Sequence, residues 1–318
     1  MERALDLDLL RDALGDRLNL PTPEELQDLM AQMELQLFLR ESRLPEGLLE
    51  SAWYLHAVAS VSQARERYSL HRQRQAFTVS AHIFDLALHQ VNWSRADRLS
   101  LGFAAAIGYR RGGRDPNATA IMHRLRSDIQ TEVSILEHLD TVTLEAGLAL
   151  LGFETRTLFK WFAAWRRQFG QLAELSELPD LVTTLLGPAQ LTVLGAEDLL
   201  TYLAHGVDSR LGRGVERLRQ VAVGGAGPDD LNARWVAAHL LNLSGEAHAG
   251  SLWNPLVMPP DVPRSVRQAF TLGRPPVLTL WEPQRELLAG PRSPFAPSVR
   301  RIVMAVPTSG GKTLLGQL

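Results

Sequence analysis

Residues 155–170 read TRTLFKWFAAWRRQFG, and their spacing decides the fold class. Leu158, Phe162, Trp165 and Phe169 recur at helical intervals, so they form one apolar stripe. Arg156, Lys160 and Arg167 make a basic stripe along the same helix. Gly170 is the expected stop.

The same signature runs through the first two-thirds of the chain. PTPEELQDLMAQMELQLFLRES (21–42) opens with proline and acidic residues, and Leu26, Met30, Met33 and Leu37 follow at helical spacing. SRADRLSLGFAAAIGYRRGG (94–113) has Ser94 as its expected N-cap and Gly112 as its stop. DPNATAIMHRLRSDIQ (115–130) offers Asp115 as a cap and Pro116 at the first helical position. Alternating strand patterns are scarce before residue 290, so the region reads as all-helical. No internal repeat of fixed period is present.

Composition sets the outer bounds. The 318 residues exceed the usual size of one domain, with 45% apolar and 21% charged residues, the balance of an ordinary globular protein. A net charge of −2 gives no global attraction to polyanions, although local basic faces are compatible with it. The absence of cysteine rules out disulfides, thiol catalysis and cysteine-based zinc sites. MERALDLDLLRDALGDRL (1–18) has no apolar core or small-residue cleavage site of a secretory signal, and with no stretch of 18 apolar residues no membrane span is expected. A cytoplasmic protein is the expectation.

Near the other end the character changes. VAVGGAGPDD (221–230) is a glycine-rich linker candidate, and WNPLVMPPDVPRS (253–265) and LGRPPVLTLWEP (272–283) are dense in proline. RIVMA (301–305) is a short buried-strand pattern, followed by VPTSGGKT (306–313) and the start of a helix. This is the strand, loop and helix of a phosphate-binding loop, G-x-x-x-x-G-K-[ST], with Val306 at the first glycine position. Backbone N–H groups from Ser309 to Thr313 are expected to cradle phosphate oxygens, with Gly310 and Gly311 allowing close approach. Pro307 with Gly310 and Gly311 is expected to shape the turn, Thr308 to line the nucleotide site, Lys312 to reach the β- and γ-phosphates, and the Thr313 hydroxyl to ligate Mg²⁺.

VPTSGGKT behind an apolar strand resembles motif I of the superfamily-two DEAD/DEAH-box helicases and translocases. That family replaces the first glycine by a small apolar residue and carries an upstream glutamine that reads adenine. In LWEPQRELL (280–288), Gln284 stands where the resemblance places that glutamine, and its amide can donate to adenine N7 and accept from the N6 amine. Trp281 and Phe270 are candidates to pack on the base, and equally candidates for the core. The resemblance covers about residues 270–318 and implies ATP and Mg²⁺ as cofactors and DNA or RNA as substrate.

The expected fold is therefore mainly α: a multihelical domain at 1–222, a linker at 223–230, a helical and proline-rich connector at 231–263, and from 264 to 318 the truncated start of a RecA-like P-loop α/β domain. The acidic motif II and the second lobe are expected downstream, so the chain reads as the N-terminal fragment of a longer ATPase that hydrolyses ATP poorly alone. The helical extension would dock a partner protein or the substrate. Two other readings stay open: a phosphate-loop NTPase switch that is not a helicase, and a helical protein-interaction module within residues 1–220.

Three further constellations stand out. His82, Asp85 and His89 fall on one helical face and have metal-ligand chemistry, although a polar surface explains them more simply. Arg210, Arg213 and Arg217 form a second basic stripe, and RERYSLHRQRQAF (65–77) interleaves basic and aromatic residues. Such faces suit a phosphate backbone, a partner protein or water.

Overall fold

The computed structural model describes residues 23–38, 47–60, 68–89, 93–152, 155–175, 179–224, 230–274 and 276–289. Twelve α-helices account for most of them, and the only extended pairing among the described residues is an isolated antiparallel bridge between Ser251 and Thr279. The expected strand at 301–305 and the loop at 306–313 lie outside the described residues. Two compact units divide the chain after Gln130, so the glycine-rich run near 223–230 falls inside the second.

The first unit contains α1 (Pro23–Phe38), α2 (Leu48–Ser60), α3 (Leu70–Ala87), α4 (Arg95–Arg111) and α5 (Asp115–Arg124). Every residue from Leu101 to Tyr109 is buried, so this stretch of α4 is buried all round and is central to the unit. The helices α3 and α5 pack on it, and α2 packs on α3. Ser94 caps α4 as expected, its hydroxyl accepting from the Asp97 N–H at 3.1 Å, and Gly112 closes the helix. Asp115 is not a cap. It is the first residue of α5, and its carboxylate takes a hydrogen bond from Arg110, so Arg114 occupies the cap position without a side-chain bond.

One polar group sits deep in this unit. The His56 ring packs edge-on against Phe77 and Phe84, with centroids 5.4 and 5.9 Å away, and the Arg111 guanidinium lies 4.2 Å from the centre of Phe77. Burial, aided by the positive charge of Arg111, lowers the His56 pKa to about 3.

The second unit begins with a short turn at Ile135–Glu137 and α6 (Val142–Gly152). It continues with α7 (Thr155–Leu175), α8 (Pro179–His205), α9 (Asp208–Val223), α10 (Leu231–Gly250), α11 (Arg264–Thr271) and α12 (Glu282–Ala289). Val142–Ala149 is wholly buried and contacts α8 and α10. In α7, Leu158, Phe162, Trp165 and Phe169 are buried as their spacing predicts. Gly170 does not end that helix, which continues to Leu175. An exposed glycine is carried through at a cost of about 1 kcal/mol relative to alanine when its neighbours favour helix.

Two close approaches fix the path around α8. A Cβ on Gly214 of α9 would lie 3.0 Å from the Gly195 carbonyl of α8, so the two backbones almost touch there. At the end of α8, Gly206 turns the chain with φ +66, and the Trp253 indole lies directly over it. Trp253 donates its ring N–H to the Leu203 carbonyl at 2.9 Å. That contact folds the proline-dense stretch after α10 back onto α8 as successive turns. Buried Arg267 of α11 donates to the carbonyls of Leu252, Met258 and Pro259 and holds those turns in place.

Candidate functional site

Of the residues expected to bind nucleotide, Gln284 is among those described; Pro307, Thr308, Ser309, Gly310, Gly311, Lys312 and Thr313 are not. Gln284 is the third residue of α12 and is buried. Its Oε1 accepts the backbone N–H of Trp281 at 2.9 Å, the reach-back half of a capping box, while the Arg285 N–H closes the first helical turn on the Trp281 carbonyl. The side chain that the resemblance assigns to adenine thus also starts this helix.

The ground under Gln284 is apolar. Leu280 and Leu288 join Leu252, Val257 and Met258 in one buried cluster, with Phe270 and Val277 packed against it. The Leu280 N–H donates to the Gly250 carbonyl at 2.7 Å, which fastens the segment before α12 to the end of α10. Phe270 therefore takes part in the core. Trp281 is half-buried at the head of α12.

The basic stripe of α9 is anchored on α8. On α9, Arg210, Arg213 and Arg217 share a face because they are three and four residues apart, and all three converge on buried Asp198. Arg210 Nη1 donates to Oδ1 at 2.8 Å, Arg217 Nη1 to Oδ2 at 2.6 Å, and Arg213 makes a two-pronged contact with both oxygens. Burial alone would raise the Asp198 pKa. Hydrogen bonds from Arg213 and Arg210 and the charges of Arg217 and Arg213 outweigh it and hold the carboxyl below its ordinary value.

The neighbouring Glu197 accepts from Arg166 of α7 at 2.5 Å. Its pKa is raised, chiefly by burial, against the opposing charge of Arg166 and with the reinforcing charge of Asp198. Arg156, Lys160 and Arg167 are exposed on α7. In the stretch 65–77, Ser69 caps α3 by accepting from the Arg72 N–H, and residues 65–67 lie outside the described ones.

Of the metal-like trio, His82 and Asp85 lie on α3 and are engaged by protein groups, while His89 lies just past its end. His82 Nε2 lies 2.9 Å from Glu34, while Asp85 accepts from Arg124 at 2.7 Å and from the Tyr109 hydroxyl at 3.2 Å. Burial, then the charge of Arg124, lowers the His89 pKa against the opposing charge of Asp85. Among the described residues, no three acidic or histidine side chains are grouped to hold a metal ion.

One pair has no periodic signal in the sequence. His138 Nδ1 lies 2.9 Å from Glu145, both side chains are fully enclosed, and the Thr141 hydroxyl donates to the same carboxylate. The pair fixes the imidazole orientation but is closed to solvent, which makes it part of the core of α6. No helix among the described residues is long and apolar enough to cross a membrane. No protein-family model matches the chain, and no curated protein matches it.

Proposed function

We propose that the chain carries the ATP-binding start of a DEAD/DEAH-type helicase or nucleic-acid translocase, preceded by a helical region that engages substrate or a partner. The observation that carries this reading is one register: VPTSGGKT directly after the apolar run RIVMA, with Gln284 upstream in LWEPQRELL. When ATP and Mg²⁺ are bound, their chemistry is phosphoryl transfer. Lys312 would hold the β- and γ-phosphates, the N–H groups of Ser309–Thr313 would cradle their oxygens, and the Thr313 hydroxyl would face the metal. Gln284 would read the adenine edge.

Binding of a fluorescent ATP analogue with Mg²⁺ tests the assignment. Lys312→Ala should weaken binding about tenfold or more, since it removes the point charge on the phosphates. Equal affinity in the variant and the parent would remove the phosphate-loop reading. Preference for ATP over GTP and CTP tests the Gln284 assignment separately.

A further inference from the structure

The charges around Asp198 do not balance. Four guanidinium groups, from Arg166, Arg210, Arg213 and Arg217, face two carboxylates, Glu197 and Asp198, which leaves two positive charges in excess. Asp198 has 1% side-chain exposure, whereas Arg210, Arg213 and Arg166 expose 40%, 46% and 56% of theirs. The negative charge is therefore inside and the positive charge outside. Each guanidinium carries five N–H donors in a rigid plane. One carboxylate takes four hydrogen bonds from three of them, so most donors on the exposed side are not used on Asp198.

We infer that this face of α7, α8 and α9 is a docking surface for the phosphodiester backbone of a nucleic acid, with Asp198 as the positioning residue that pre-aims the arginines. Planar guanidinium forks match phosphate oxygens, and a fork already held by a buried carboxylate loses little rotamer freedom on binding. The dimensions fit a run of phosphates. Arg210 to Arg217 spans about 10 Å along α9. At a rise of about 3.4 Å per nucleotide in a strand, this length covers about three nucleotides. Arg166 of α7 is bonded to Glu197, the neighbour of Asp198, and adds one guanidinium from α7 to the same surface.

The inference deepens the helicase reading but is tested without nucleotide, so failure of either leaves the other standing. The 318-residue chain is titrated against a fluorescein-labelled oligonucleotide by anisotropy over a salt series. The double variant Arg210→Gln/Arg213→Gln should bind about tenfold more weakly, and its log–log salt slope should fall by about 0.7 to 0.9 for each phosphate that is no longer neutralised. Arg166→Gln, at a mostly exposed side chain, should act in the same direction without disturbing the packing of α8 on α9. Arg219→Gln, paired with Glu216 on another side of α9, should leave affinity and slope as they are. Circular-dichroism melts show whether each variant is folded. Unchanged affinity and slope in both folded arginine variants would overturn the inference. So would equal displacement of the oligonucleotide by poly-glutamate, which would mark a surface for acidic protein segments.

Discussion

Arg213 holds Asp198 with two parallel hydrogen bonds, Nε to Oδ2 at 2.9 Å and Nη2 to Oδ1 at 3.0 Å. The contact ties α9 to α8 beside the point where Gly214 and Gly195 bring the two backbones together. Asp198→Ala leaves three arginines facing one another without their central anion. An unfolding free energy lower by about 1 to 3 kcal/mol in urea is expected, the lower part of the range reflecting the water that reaches these side chains. Arg213→Lys should lower the denaturant midpoint, because an ammonium cannot reproduce the two-pronged contact. Denaturant midpoints identical to the parent would show that the cluster does not secure this helix pair.

Two glycines should respond in opposite directions to alanine. Gly206 has φ +66, and a Cβ there would lie 2.3 Å from the Trp253 ring, so Gly206→Ala should destabilise by about 2 to 4 kcal/mol. Gly170 is helical and exposed with open space around it, so Gly170→Ala should stabilise by about 0.5 to 1 kcal/mol. Thermal melts of both variants against the parent check the pair. A stabilised Gly206→Ala would contradict the close packing of Trp253.

His56 should make the first unit sensitive to acid. With its folded pKa near 3 and an ordinary value of 6.5, the folded state stays unprotonated while the unfolded chain binds a proton between these values. Its contribution to stability is complete above pH 6.5. It declines by at most about 1.4 kcal/mol per pH unit as the pH falls towards about 3. His56→Phe should flatten the dependence over that window. The measurement is urea unfolding at a series of pH values, and an unaltered slope in the variant would assign the acid sensitivity to other groups.

Gln284 combines a structural role with a proposed recognition role, and two substitutions separate them. Glutamate keeps the oxygen that accepts the Trp281 N–H but lacks the amide donor that adenine requires. Gln284→Glu should therefore keep the Trp281 capping bond, lose some stability because a carboxylate is placed at a buried position, and lose the preference for ATP over GTP and CTP. Gln284→Ala should lose both, with about 1 kcal/mol of stability. Competition binding with the three nucleotides and parallel melts read the two effects. Retained ATP preference in Gln284→Glu would confine this glutamine to its capping role.

Short-range chemistry was legible in the sequence. Four apolar residues spaced along α7 define which face is buried, whatever lies opposite, and Ser94 before α4 closes a hydrogen bond with an amide only three residues away. The proposed phosphate loop and its upstream glutamine rest on the sequence pattern alone, since residues 306–313 lie outside the described residues. Gly170 marks the limit of such reasoning, since glycine is only a weak stop and the helix beyond it reaches Leu175.

What only the tertiary structure decided is where the charges go. In the sequence, Arg210, Arg213 and Arg217 are a basic stripe; in the fold they surround Asp198, twelve or more residues away on another helix. Asp115 reads as a cap, yet it becomes the partner of Arg110 across the turn between α4 and α5. Helical periodicity acts within a few residues and follows from local geometry. The partner of a charged side chain depends on which helix is packed beside it, and that is set by long-range packing such as the approach of Gly195 to Gly214.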